Sequence, residues 1–139
     1  MFLFDTNVVS ASRRADKQDM SFRMNMDRIA SQDSFLSAVT IMELSFGAQL
    51  QRGRDAAFAI ELETWITGVV LVNYAGRILS FDTPIALRTG SLPTPNKGPT
   101  ADAMIAATAL HHGLTIVTRN VADFEPLGVR CLDPWSTSA

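Results

Sequence analysis

The feature that most constrains this chain is an alternation of short apolar runs, each cut off by polar capping or turn residues, with longer stretches whose apolar residues recur at helical spacing. Residues 1–4 are apolar and end at Asp5-Thr6-Asn7, and 35–39 give way to a helical pattern that opens at Thr40. Residues 78–81 run into Asp82-Thr83-Pro84, a helix start with proline in its first turn. Residues 115–118 precede a short helical turn over 120–124, and 129–132 precede Asp133-Pro134-Trp135. Helical patterns fill the gaps at 21–30, 40–51, 55–66 with Gly68 as the expected stop and 69–72 either extending the helix or forming a strand, 82–90, and an alanine-rich 100–112 ended by Gly113. Strands that alternate with helices must be joined by crossovers. The sequence therefore predicts an α/β fold, a mostly parallel central sheet flanked by helices.

A length of 139 residues fits one domain, expected over 1–135 with a fraying tail at 136–139. The proline-rich stretch 92–99 reads as an irregular loop, too short for an interdomain linker. With 47% hydrophobic and only 19% charged residues, disorder is excluded for most of the chain. Its net charge of −2 argues against nucleic-acid binding through bulk charge, so any such contact must be local. The single Cys131 excludes an internal disulfide, and with only His111 and His112 beside it there is no Cys/His zinc spacing. Any metal must be held by oxygen. No apolar run in the sequence approaches the roughly 18 residues of a membrane span, and residues 1–4 lack a basic flank or cleavage site, so a cytoplasmic protein without a membrane partner is expected.

In an open parallel sheet, ligands sit beyond the carboxyl ends of the strands. Asp5 follows the first strand directly, and Glu43 lies one helical turn after the second. Asp123 lies one turn after 115–118, and Asp102 sits in the first turn of the alanine-rich helix. Each acid has a plain explanation at a helix start: Asp5 as N-cap, Thr40-x-x-Glu43 as a capping box, Asn120-x-x-Asp123 as a cap, and Asp102 at the positive end of a helix dipole. Their conjunction beside apolar strands points further. Carboxylates gathered without Lys or Arg repel one another, and a divalent cation relieves that repulsion. Oxygen donors select a hard ion, Mg²⁺ or Mn²⁺, whose chemistry is to activate water against a phosphodiester.

The residues at these positions resemble a known family. Phe2-Leu3-Phe4-Asp5-Thr6-Asn7, Ser37-Ala38-Val39-Thr40-x-x-Glu43-Leu44, Ala101-Asp102-Ala103-Met104-Ile105-Ala106-Ala107 and residues 114–124 stand in the order seen in the PIN-domain ribonucleases, in particular the VapC and FitB-type toxins. Asp133-Pro134-Trp135 looks like that family's terminal Pro-Trp. The resemblance implies a PIN-like domain whose metal ligands are Asp5, Glu43, Asp102 and Asp123, with Thr6 and Thr118 orienting carboxylates or water and Asn120 in a supporting hydrogen bond. It further implies an Mg²⁺- or Mn²⁺-dependent endoribonuclease that acts on an RNA substrate, forms a homodimer and is restrained by a cognate antitoxin. The dimer and antitoxin surfaces are expected on the helices between Ser21 and Arg54.

Two rival readings stand beside it. A HAD-like phosphatase also begins with an apolar strand ending in Asp, but it calls for an acid two residues later, where Asn7 stands. A non-catalytic PIN-like module for RNA or protein binding would not need the full set of four acids. Arg13, Arg14, Lys17 and Arg119 are candidate phosphate contacts or solvated surface charges.

Overall fold

The structure is a computed structural model, and it describes residues 1–94 and 98–137. Parts of the expected loop at 92–99 and of the expected tail at 136–139 therefore lie outside the described residues. The elements in chain order are β1 (Phe2–Phe4), α1 (Thr6–Ser12), α2 (Met20–Asp27), β2 (Ser34–Ser37), α3 (Ala38–Gln51), α4 (Ala56–Trp65), α5 (Leu71–Asn73), β3 (Ile78–Leu79), α6 (Thr83–Ser91), α7 (Ala101–His112), β4 (Thr115–Val117), α8 (Val121–Phe124) and β5 (Cys131–Leu132). The strands form one sheet in the order β3-β2-β1-β4-β5, and every described pairing is parallel.

Alternation of side chains across each strand divides the core in two. Leu3 and Ile116 face one side with Val39, Ile105, Ala106 and Phe124. Phe4, Leu36 and Val117 face the other with Val8, Phe22 and Leu44. On the first side Ala103, Ala106, Ala107 and Ala109 of α7 are fully buried, which lets that helix approach the sheet closely. Thr100 caps α7, its hydroxyl accepting from the Ala103 N–H at 3.1 Å, and Gly113 ends it in the left-handed conformation at φ +67°.

Several boundaries differ from the sequence reading, among them the strand expected over 78–81, which is Ile78–Leu79. The second strand stops at Ser37, whose side chain accepts from the Val39 N–H at 3.0 Å and caps α3 two residues earlier than expected. Thr40 is thereby placed inside the helix, and Thr40-x-x-Glu43 is not a capping box. The helix beginning at Ala56 does not stop at Gly68: it passes through a wider π-type turn, Ile66–Val70, into α5. The result is one helix, Ala56–Asn73, of 18 residues with mean hydropathy 1.3, long and apolar enough by composition to cross a membrane, although the sequence showed no such unbroken run. The last strand shrinks to Cys131–Leu132.

The chain turns back on itself at β1, which has β2 on one side and β4 on the other. That reversal opens a crevice beyond the carboxyl ends of β1 and β4. Asp5 and Thr118 are the first residues into it.

Candidate active site

Asp5 leaves β1 with its N–H still bonded to the Val117 carbonyl at 3.0 Å, so the sheet itself aims this residue into the crevice. One carboxylate oxygen accepts from the Thr6 N–H at 2.7 Å and caps α1, as expected. The other accepts from the Thr118 hydroxyl at 2.8 Å. Thr118 in turn accepts from the Asn120 N–H at 3.0 Å and from Asn7 Nδ2 at 3.4 Å. With both lone pairs engaged, its single proton is committed to Asp5. Asn7 also accepts from the Arg119 N–H at 3.4 Å and so ties the loop after β4 to α1.

Glu43 is oriented by an equivalent device. The Thr6 hydroxyl donates to Glu43 Oε1 at 2.6 Å and lies 3.2 Å from the hydroxyl of the fully buried Thr40. Because Thr6 has one proton and the shorter contact takes it, Thr40 is the donor across the longer one. Thr6 and Thr118 thus stand beside carboxylates as the sequence predicts, and Asn120 reaches the site through its backbone N–H. Thr40 and Asn7 were not singled out as site residues. Thr40 has the sequence pattern of a cap but lies inside α3, which starts at Ala38, and the sequence signal for Asn7 is its position in the Asp5-Thr6-Asn7 run.

The four acids feel one another's charge. Burial pushes the carboxyl of Asp5 above its ordinary 3.8, against the opposing hydrogen bonds from Thr118 and the Thr6 N–H, and the charges of Glu43 and Asp123 add to the rise. Asp102 is lifted to about 6, first by burial and then by Asp5, Asp123 and Glu43. No cation offsets this: among the described residues the one ion pair is Arg52–Glu63, at the surface between α3 and α4. Among the described residues, no three Asp, Glu, His or Cys side chains are drawn together tightly enough to grasp an ion directly. Mg²⁺ keeps several waters and takes only one or two carboxylates directly, so it does not require three carboxylates in direct contact. Donor chemistry and uncompensated charge both fit a hard divalent ion.

Two arginines flank the acids. Arg13, at the end of α1, lies with its guanidinium 5.2 Å from the centre of the Phe58 ring. Arg119 lies 4.8 Å from the ring of Trp135, which stacks on Phe22 at 4.5 Å and donates its indole N–H to Gln18 at 3.4 Å. The Pro-Trp segment is held down by Asn25, which donates to the Pro134 carbonyl at 2.8 Å.

The pattern of the PIN domain family matches residues 2–125, the stretch that holds the four acids and most of this parallel sheet. The chain belongs to the PIN domain family. Within it, the chain is similar to the toxin FitB of Neisseria gonorrhoeae, at 34% identity over 97% of this chain and 99% of that protein. A VapC ribonuclease of Sinorhizobium fredii is 35% identical over 97% of this chain and 98% of its own length. The crystal structure of FitAcB from Neisseria gonorrhoeae superimposes with a TM-score of 0.85 at 32% identity, covering 97% of this chain and 99% of that one.

Proposed function

We propose that the chain is the toxin of a type II toxin–antitoxin pair, an endoribonuclease that depends on Mg²⁺ or Mn²⁺ and hydrolyses RNA phosphodiesters. The observation that carries this is the mutual electrostatic influence of Asp5, Glu43, Asp102 and Asp123 with no ion-paired cation among the described residues, in a chain similar to FitB and to a VapC ribonuclease. These four acids would hold the ion. When bound, it would lower the pKa of a water and stabilise the charge that develops on the phosphate.

The chain's own residues preorganise that site. Thr118 and the Thr6 N–H fix both oxygens of Asp5, and the Thr6 hydroxyl fixes Glu43, so neither carboxylate has to be immobilised when the substrate arrives. Asp102 and Asp123 stand nearer to solvent and complete the negative crevice. The residue two places after Asp5 is Asn7, which donates to Thr118, so the phosphatase reading finds no acid where it needs one.

Exposed apolar side chains on the surface between α3 and α4 support an antitoxin site there. Met42, Phe46, Ile66 and Thr67 line a cavity of about 540 Å³ there, and Phe46 is 61% exposed. The similarity to the toxin FitB, at 34% identity, supports a restraining protein partner for this chain.

The test is Asp5→Asn. Its carboxamide preserves the shape of the side chain, so circular dichroism and melting temperature should report an intact fold while Mg²⁺- or Mn²⁺-dependent RNA cleavage is abolished. Cleavage that survives this substitution, or survives chelation, would falsify the assignment.

A further inference from the structure

A second cavity, of about 250 Å³, opens directly off the crevice between α1, α3 and α4, and Thr6 and Glu43 form its inner wall. Arg13, Gly47, Gln51 and Trp65 complete the parts of its lining that matter. We propose that it is the subsite for the nucleotide next to the scissile phosphodiester, with Arg13 binding that nucleotide's phosphate and Trp65 offering a face to its base. This rests on the ribonuclease reading and assigns part of the same site.

Three observations converge. Arg13 is half-buried with its guanidinium against Phe58, which supports one face, and it has no ion pair or side-chain hydrogen bond among the described residues. A planar fork of donors held in place with no acceptor is suited to a phosphate. Gly47 sits inside α3, where glycine is less favourable than alanine, yet a Cβ built there would meet no atom within 4 Å. No neighbouring element needs that space, and it faces the cavity. The third observation is the make-up of the wall, which brings the carboxylate of Glu43, one cation and the partly buried indole of Trp65 into a single cavity. An RNA strand offers a phosphate for the cation and a base for the indole. A basic peptide reaching for the acids would meet the like charge of Arg13.

The experiment compares wild type, Arg13→Ala, Arg13→Lys and Gly47→Leu in steady-state cleavage of bulk tRNA with Mg²⁺ or Mn²⁺. Salt-dependent binding of a short labelled single-stranded oligoribonucleotide is followed in the non-cleaving Asp5→Asn background. Gly47→Leu fills the cavity with a better helix former and touches no charge, so it decides the question even if Arg13→Ala disturbs Phe58 and fails to fold. Both Arg13→Ala and Gly47→Leu should raise KM about tenfold with kcat within about twofold, and Arg13→Lys should recover part of the loss. The slope of log affinity against log salt should become shallower by about 0.7 in Arg13→Ala and stay as in wild type for Gly47→Leu. Unchanged KM in Gly47→Leu while wild type cleaves RNA overturns the subsite and leaves the ribonuclease reading standing. So does a Gly47→Leu protein that cleaves normally but no longer binds the antitoxin, because the cavity would then belong to a protein partner. A wild type inert toward RNA with either ion rejects the ribonuclease reading itself, and the subsite with it.

Discussion

Asp102 shows how burial and neighbouring charge act on a single residue. Its carboxyl is raised from 3.8 to about 6 by burial and by three neighbouring acids. A raised acid binds its proton more tightly in the folded chain than in the unfolded one, so in the metal-free protein stability falls as pH climbs from about 3.8 through 6. In a chelator, the melting temperature should therefore rise as the buffer is taken from pH 7 to pH 5, and Asp102→Asn should raise it at pH 7 and flatten the dependence. Mg²⁺ should raise the wild type at pH 7 and leave Asp102→Asn with little gain, since only the former recovers favourable charge on binding. A wild type more stable at pH 7 than at pH 5 in chelator would show that the acids do not strain one another. The positions of these acids were legible in the sequence because Asp5 follows a strand, Asp102 and Asp123 lie in the first turn of a helix, and Glu43 lies a short way along the helix that follows β2. Their hydroxyl partners were only half legible: Thr6 and Thr118 stand next to the motif, but the reach of Thr40 to Thr6 depends on how α3 lies against α1, which no local pattern encodes.

At the scale of the elements, boundaries were set by single capping residues more than by hydrophobic pattern. Ser37, not Thr40, starts α3, because the run Ser37-Ala38-Val39-Thr40 serves equally well as strand or helix and only the sheet register decides where the strand ends. Gly68 was expected to stop a helix and instead lies within a π-type turn, with an ordinary negative φ and no left-handed cap. Gly113 is the contrasting case. At φ +67° it adopts a conformation that costs a side chain about 1 kcal/mol, and an added Cβ would meet nothing within 4 Å, so Gly113→Ala should lose about that amount from backbone strain alone. Chemical denaturation should show the midpoint shift with the slope unchanged. Gly68→Ala, at a helical backbone position in open space, should be neutral or slightly stabilising in the same assay.

The whole molecule presents an uneven surface. Met42, Phe46 and Leu50 form a row along α3, and Ile60, Val69 and Val72 lie exposed on the long helix that follows. A patch of this kind marks a surface that another chain covers. If the antitoxin lies there, Phe46→Glu should leave RNA cleavage intact while a cognate antitoxin no longer co-purifies with it or rescues growth. Loss of cleavage together with retained antitoxin binding would place the partner elsewhere. The sequence revealed these apolar residues without revealing their exposure, because a helix that is apolar on several faces reads the same whether a sheet or a partner covers it.

The outermost strands add a limit to how such a partner can attach. β3 and β5 are two residues long, and each has its single sheet neighbour already bonded along that length. Strands so brief give an incoming peptide almost no ladder to extend. Continuous fibres built by stacking sheet upon sheet are disfavoured for the same reason, and recognition of this protein by its own kind or by another falls to side chains projecting from helices.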